Sequence, residues 1–151
     1  MIIQSTNLQE IRNQIQKAKK SNPNEIIVVR AEDEEFNRKV LEIKQVNILL
    51  GPEIHNTKDR KDKLKQRDSG LNEFLCKLAK KNNIAIAISI QELQSLQPKQ
   101  KAKTLARIMQ NIQLCKRAKT KIILWPEDEY NHLDVLSFIT TLKGSTEQGK
   151  N

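Results

Sequence analysis

The chain has 151 residues, 37% of them hydrophobic, which suits one globular domain with a substantial buried core. Lysine and arginine number 27 against 18 acidic residues, and the resulting net charge of +9 favours a polyanionic partner. Five aromatic residues exclude base stacking as the main recognition device, and no apolar stretch of signal-peptide or membrane-spanning type is present, so we expect an intracellular protein.

Strand-like and helix-like segments alternate along the whole chain. Short, mostly β-branched runs predict strands at residues 1–4, 25–30, 46–50, 84–90 and 121–125. Apolar periodicity predicts helices at residues 6–20 and 33–43, from an N-cap at Ser69 to Asn82, from Pro98 onward, and at residues 133–142. The highly charged residues 53–66 are predicted to form a solvated loop or a marginal helix.

This alternation predicts an α/β fold with a parallel (βα) repeat of about five units, a truncated or partial TIM-barrel-like domain. A partial barrel, an open doubly wound sheet and a barrel completed by a partner all fit the pattern. In residues 84–90 the isoleucines share one face and Ala85, Ala87 and Ser89 the other, which suits a tightly curved sheet, although a flat sheet would accept it. We expect residues 1–143 to form a single domain and residues 144–151 a disordered tail.

One basic loop stands out as a candidate binding surface. In parallel α/β folds the functional residues lie at the carboxyl ends of the strands, and residues 51–69 are the longest and most basic connection there. The competing interpretation is a solvated charge run, because Asp59 and Asp62 offset part of the charge. We predict that the loop cations form one rim that binds a phosphate backbone: Lys58, Arg60, Lys61, Lys63, Lys65 and Arg67.

Motifs for chemistry by the chain itself are weak. His55 and His132 form no metal-binding motif, and the acidic run at Glu127–Glu129 is more typical of a polar turn than of a Mg²⁺ site. Cys76 and Cys115 fall among apolar helix positions, as reduced core residues do. No P-loop, GxSxG or GxGxxG sequence occurs. The sequence therefore predicts binding, with no catalytic residue, no metal ligand and no cofactor on this chain.

Several motifs together resemble those of one family. They are the strand and turn at residues 46–53, Arg-Asp-Ser-Gly-Leu-Asn at 67–72, the helix and its Lys-Lys-Asn-Asn stop at 75–83, Ser-Ile-Gln-Glu-Leu at 89–93 and Arg-Ile-Met-Gln-Asn at 107–111. Over roughly residues 25–142 the chain is similar to ribonuclease P protein component 3, the TIM-barrel-like protein subunit of archaeal and eukaryotic ribonuclease P. Members of that family are usually longer, with additional βα elements at the N-terminus.

The resemblance implies a non-catalytic subunit of an RNA-based endoribonuclease that removes the 5′ leader from precursor tRNA. Its implied partners are the ribonuclease P RNA, protein component 2 and other protein subunits, and precursor tRNA through the complex, with Mg²⁺ serving the catalytic RNA. By position, Arg67 and Asp68 would meet RNA or stabilise the loop that binds it, and Lys81, Asn82 and Arg107 are further RNA-binding candidates. The implied location is the cytoplasm for an archaeal source, and the nucleus or nucleolus for a eukaryotic one.

Two other classes of function stay open at this point. The family is related to histidine-rich, metal-dependent phosphoesterases, so a phosphoesterase on a degraded barrel is one alternative, although two histidines speak against it. A scaffold that binds only protein, with its positive face solvated, is the other. An open sheet would have two unpaired edges, so we expect a protein partner or a dimer.

Overall fold

The computed structural model describes residues 1–54 and 60–150. Within them the strands are β1 (Ile2–Ile3), β2 (Val28–Arg30), β3 (Ile48–Leu50), β4 (Ala85–Ser89) and β5 (Ile122–Trp125). The helices are α1 (Leu8–Ser21), α2 (Glu34–Leu41), α3 (Glu73–Lys81), α4 (Ile90–Ser95), α5 (Pro98–Ala118) and α6 (His132–Thr141). Two 3₁₀ turns, Glu127–Glu129 and Gln148–Lys150, follow β5 and α6.

The five strands form one parallel sheet in the order in which they occur along the chain. Each strand pairs with the next, as in Val29 beside Leu49 and Leu49 beside Ile86. Sequential parallel pairing of this kind is the arrangement of a barrel wall. The predicted partial TIM-barrel-like fold is therefore confirmed.

The two faces of the sheet differ in what covers them. The strand residues on one face join the main core with the apolar sides of the helices, and Ile86 and Ile88 of β4 belong to this set. The residues on the other face form a second buried cluster made of strand residues, with Trp125 against it: Val28, Ile48, Leu50, Ala85, Ala87 and Ile123. The helices thus pack on one face, which excludes a doubly wound sheet and confirms the large/small division predicted for β4.

Polar side chains set where the helices begin. Asn7 and Asp33 accept hydrogen bonds from the first backbone N–H groups of α1 and α2, as N-caps do. The cap of α3 is Asn72, whose Oδ1 accepts from the Leu75 N–H at 2.9 Å, so the predicted cap at Ser69 is wrong. The reason is local, because Gly70 has a φ of +77° and turns the chain away from a helix directly after Ser69.

Two segments differ from the sequence prediction. Residues 90–95, predicted as the end of a strand and the loop after it, form α4, in which Ile90 and Leu93 are buried. A helix of six residues is too short to show helical periodicity in the sequence. The expected disordered tail packs instead on the domain. Gln148 is buried and its Nε2 donates to the Ile112 carbonyl at 2.9 Å, while Gly149 lies against Leu136 so closely that a Cβ would be 2.9 Å from the Leu136 Cα.

No helix in the described part of the chain is both long enough and apolar enough to cross a bilayer.

Candidate nucleic-acid interface

The basic loop after β3 is held in place by its own arginine. Among the described loop residues, those from 60 to 66 form no helix. The Arg60 guanidinium donates to the carbonyls of Asp68 and Pro52, the second at 2.8 Å, and is half-buried between them. Burial lowers the pKa of Arg60 from its ordinary value. Arg60 thus ties the two ends of residues 60–70, hereafter the anchor loop, and does not extend into solvent.

A second arginine fastens the anchor loop to α5. Arg107 Nη2 lies 2.7 Å from Asp62 Oδ2, and the two side chains are only 11% and 13% exposed. Asp62 Oδ1 also accepts the Asp68 N–H at 2.8 Å. Burial alone would raise the pKa of Asp62, but the hydrogen bonds from Arg107 and Asp68 outweigh it and lower that pKa. Arg107, predicted to bind RNA, is occupied by an internal ion pair.

Two amides on α5 complete the attachment. Gln110 accepts the Arg67 N–H at 2.7 Å and donates to the Arg67 carbonyl at 2.8 Å. Asn111 donates to the Ser69 carbonyl at 3.1 Å. Residues 107, 110 and 111 share one helix face, so the Arg-Ile-Met-Gln-Asn motif recognises the backbone of the anchor loop. Gln110 and Asn111 were not predicted as site residues. The signal that could have found them is their spacing, because polar residues at 107, 110 and 111 lie on one face of α5 beside its buried apolar residues.

The anchor loop ends at a glycine that no other residue can replace without strain. Gly70 has a φ of +77°, and a Cβ there would lie 2.5 Å from the Pro52 carbonyl oxygen. Its own carbonyl accepts from the buried Asn37 Nδ2 at 2.9 Å. The backbone polar atoms of the Arg-Asp-Ser-Gly motif therefore hold the loop in place, and the roles predicted for the Arg67 and Asp68 side chains stay predictions.

The exposed cations of the anchor loop face acidic residues. Lys61, Lys63 and Lys65 are exposed and Arg67 is half-buried. Three of the four line one groove together with acids from the loop and from the start of α2, namely Asp33, Glu34, Glu35 and Asp68. Acids are common at this place because helix N-termini favour negative charge. Since four acids lie beside three cations, the positive charge of this groove is largely balanced.

The remaining predicted residues lie elsewhere. Lys81 and Asn82 end α3, and helix ends in this fold lie at the amino ends of the strands, the edge opposite the anchor loop. Lys81 is exposed, whereas Asn82 Nδ2 donates to the Leu41 carbonyl at 2.7 Å. Lys58, like His55, lies outside the described residues. The predicted set therefore does not form one rim, and its binding to RNA stays a prediction.

A polar cluster that sequence reasoning missed lies under the anchor loop, at the carboxyl ends of β2, β3 and β4. The Arg30 guanidinium makes two hydrogen bonds with the Glu92 carboxylate, and Ser89 Oγ donates to Glu92 Oε1 at 2.9 Å. Glu53 is fully buried, and its Oε1 accepts the Ser89 N–H at 3.2 Å, while Oε2 has no hydrogen-bond partner among the described residues. Burial raises the pKa of Glu53 to about 7. These four residues are the carboxyl-edge cluster.

Within residues 1–54 and 60–150, no group of three or more histidine, cysteine, aspartate or glutamate side chains could hold a metal ion. Cys76 and Cys115 are buried free thiols with their sulfurs 3.9 Å apart, one on α3 and one on α5, as predicted for core residues.

The fold and these surfaces define a partial TIM-barrel-like protein with a fixed basic loop. No family model matches the chain. It is 30% identical to ribonuclease P protein component 3 of Methanococcus maripaludis (strain C7) over 115 residues, 75% of this chain and 45% of that protein. It is 26% identical to ribonuclease P protein component 3 of Methanocaldococcus jannaschii over 145 residues, 93% of this chain and 57% of that protein. The chain is thus a relative of ribonuclease P protein component 3, and it spans about half the length of these relatives.

A solved structure agrees at the level of the fold. The chain matches a chain in the cryo-EM structure of archaeal ribonuclease P with mature tRNA, with a TM-score of 0.73 and 24% identity. The match covers 99% of this chain and 61% of that one.

Proposed function

We propose that the protein is a non-catalytic subunit of ribonuclease P that binds the catalytic RNA and supports removal of the 5′ leader from precursor tRNA. The observation that carries this proposal is the 30% identity to ribonuclease P protein component 3 across three quarters of the chain. The fold shared with a chain of archaeal ribonuclease P and the net charge of +9 support it.

In this proposal the RNA catalyses the cleavage and the protein binds and stabilises the RNA. Lysine and arginine side chains neutralise phosphates and thereby stabilise a folded RNA, which needs no buried aromatic platform on the protein. Mg²⁺ acts on the RNA in this proposal, and the chain itself needs no cofactor. The proposed protein partners are component 2 and other subunits of the complex, and the proposed location in an archaeal cell is the cytoplasm.

The test is purification of the tagged protein from its native cell, followed by sequencing of the RNA that copurifies. We expect one structured noncoding RNA to be enriched and the purified complex to remove the 5′ leader from a precursor tRNA transcript. Nuclease treatment of the complex should abolish cleavage, and the recombinant chain alone should not cleave. Cleavage by the chain alone, or the lack of any enriched structured RNA, would refute the proposal.

A further inference from the structure

The edge of the sheet opposite the anchor loop carries a group of cations that sequence reasoning left largely unassigned. They lie at the end of α3, at the end of α5 and in the turn from α5 into β5. All are exposed, and none forms a salt bridge with another described residue: Lys80, Lys81, Lys116, Arg117, Lys119 and Lys121. We name this set the amino-edge cluster.

Buried contacts bring these cations side by side. Thr120 Oγ1 donates to the Cys76 carbonyl at 2.7 Å, which ties the turn after α5 to α3. The Lys121 carbonyl accepts the Ile86 N–H at 2.9 Å, so β5 starts beside β4. Lys80 and Lys121 consequently line the same open depression below the second cluster of the sheet. The α3 and α5 ends therefore form one surface.

Helix electrostatics account for only part of this arrangement. A helix C-terminus favours cations within its last turn, which explains Lys80, Lys81, Lys116 and Arg117. Lys119 and Lys121 lie beyond the helix, and Lys119 adopts a φ of +56°, a conformation that costs free energy for a lysine. Glycine would suit that position better, so the cation at Lys119 is not explained by the end of α5.

The contrast with the anchor loop decides which surface meets a polyanion. Acids line the groove of the loop, and the inward-facing Arg60 of the loop and Arg107 of α5 are bound to protein atoms. In the depression of the amino edge the acid is Glu127 alone. The six cations of the amino-edge cluster form no salt bridge with another described residue, so they are less balanced by acids than those of the loop groove.

We infer, on the basis of the proposed function, that the catalytic RNA is bound through its phosphates at the amino-edge cluster, with the anchor loop serving as a support of the fold. Ammonium and guanidinium groups at the ends of two adjacent helices are groups that bind backbone phosphates. No aromatic side chain is among the described residues that line the depression at this edge, so recognition there rests on phosphates.

Two variants with equal loss of charge test this inference. Lys80→Gln/Lys81→Gln/Lys121→Gln removes three of the six cations of the amino-edge cluster. Lys61→Gln/Lys63→Gln/Lys65→Gln removes the three exposed lysines of the anchor loop, and each variant lowers the net charge from +9 to +6. The probe is an in vitro transcribed archaeal ribonuclease P RNA, titrated at several salt concentrations. For the amino-edge variant we expect at least about a tenfold weaker affinity and a salt slope reduced by about 2–3, as loss of three phosphate contacts requires. The loop variant should change affinity by less than about threefold.

The results for the two variants distinguish failure of this inference from failure of the proposed function. Thermal unfolding establishes first that both variants fold like the parent protein. Equal losses in the two variants, or a larger loss in the loop variant, overturn the inference while the proposed function stands. If the parent protein itself does not bind the RNA, the proposed function and the inference both fall.

Discussion

The two edges of the sheet use charged residues in opposite ways. At the carboxyl edge Arg30, Arg60 and Arg107 are directed into the protein and are bonded to carboxylates or carbonyls. The cations of the amino-edge cluster are exposed and form no salt bridge with another described residue. The three arginines therefore contribute to stability, while the cations of the amino-edge cluster are free to bind a ligand.

The comparison shows that a basic motif in sequence is not by itself a binding surface. The Arg-Asp-Ser-Gly loop has the higher local density of charge along the chain, yet its polar groups are used to hold a long connection against α5. If this is correct, substitutions at the carboxyl edge should lower stability, and substitutions at the amino edge should lower affinity. Four further substitutions separate the two effects.

The largest expected effect is at Gly70. Gly70→Ala combines a left-handed φ with a Cβ 2.5 Å from a backbone oxygen, so we expect a loss of about 3–4 kcal/mol in the free energy of unfolding, measured by urea denaturation. Gly51→Ala is the matched control, because its φ is also positive but its Cβ would lie 3.0 Å from the Arg30 guanidinium, a side-chain atom, and not against a backbone oxygen. It should lose about 1–2 kcal/mol. Equal losses would show that the Pro52 contact is unimportant.

The next effect is at the ion pair between the loop and α5. Arg107→Met leaves the Asp62 carboxylate almost buried without its partner and should cost about 3 kcal/mol. Lys103→Met on the exposed side of α5 should change stability by less than about 0.5 kcal/mol. Under conditions where the Arg107 variant is folded, its affinity for RNA should stay within about threefold of the parent. A much larger loss of affinity in the folded variant would show that Arg107 contributes to RNA binding.

The third effect depends on pH and concerns Glu53. Because burial raises its folded pKa to about 7, above the ordinary value of 4.5, the folded state retains a proton that the unfolded chain releases. The contribution of Glu53 to the free energy of unfolding is fully present below pH 4.5 and is lost as the pH rises through about 7. The loss is on the order of 2–3 kcal/mol. Glu53→Gln should remove this part of the pH dependence in urea unfolding at pH 5 and pH 8. The exposed Glu127→Gln should leave the dependence unchanged.

The smallest expected effect is at Lys119, where one substitution should raise stability and weaken RNA binding. Lys119→Gly relieves a φ of +56° and should raise the free energy of unfolding by about 0.5–1 kcal/mol. It also removes one amino-edge cation, so the salt slope of RNA binding should fall by about 1. Asn83→Gly has the same φ of +56° on the same edge and removes no charge. Its salt slope should match that of the parent, and a reduced slope there would argue against a charge effect.

Much of the fold followed from local sequence signals. The β-branched run before Arg30 and the alternation of isoleucine and alanine in β4 predicted strands because their periodicity is strong over a few residues. Pro98 marked the first residue of α5, since a proline there loses no helical hydrogen bond. Element order then predicted a parallel sheet, and the structure decided between a partial barrel and a doubly wound sheet.

The site was harder to predict because its contacts span long separations. Asp62 meets Arg107, and Ser69 meets Asn111, across more than forty residues of chain. No local pattern distinguishes an arginine that will pair inside the protein from one that will face solvent. The carboxyl-edge cluster was missed for the same reason, since Glu53 and Ser89 look like ordinary loop and strand-end residues until β3 and β4 are adjacent.

The sequential order of the strands also bears on how the chain folds. Within the described residues, every strand is hydrogen-bonded only to the strand that precedes or follows it along the chain. Each βα unit can therefore pack against the unit that formed before it. Because paired strands are separated by one βα unit, the units can dock one after another during synthesis from the N-terminus. The anchor loop is the exception, because it must wait until α5 has emerged from the ribosome before Gln110 and Asn111 can bind it.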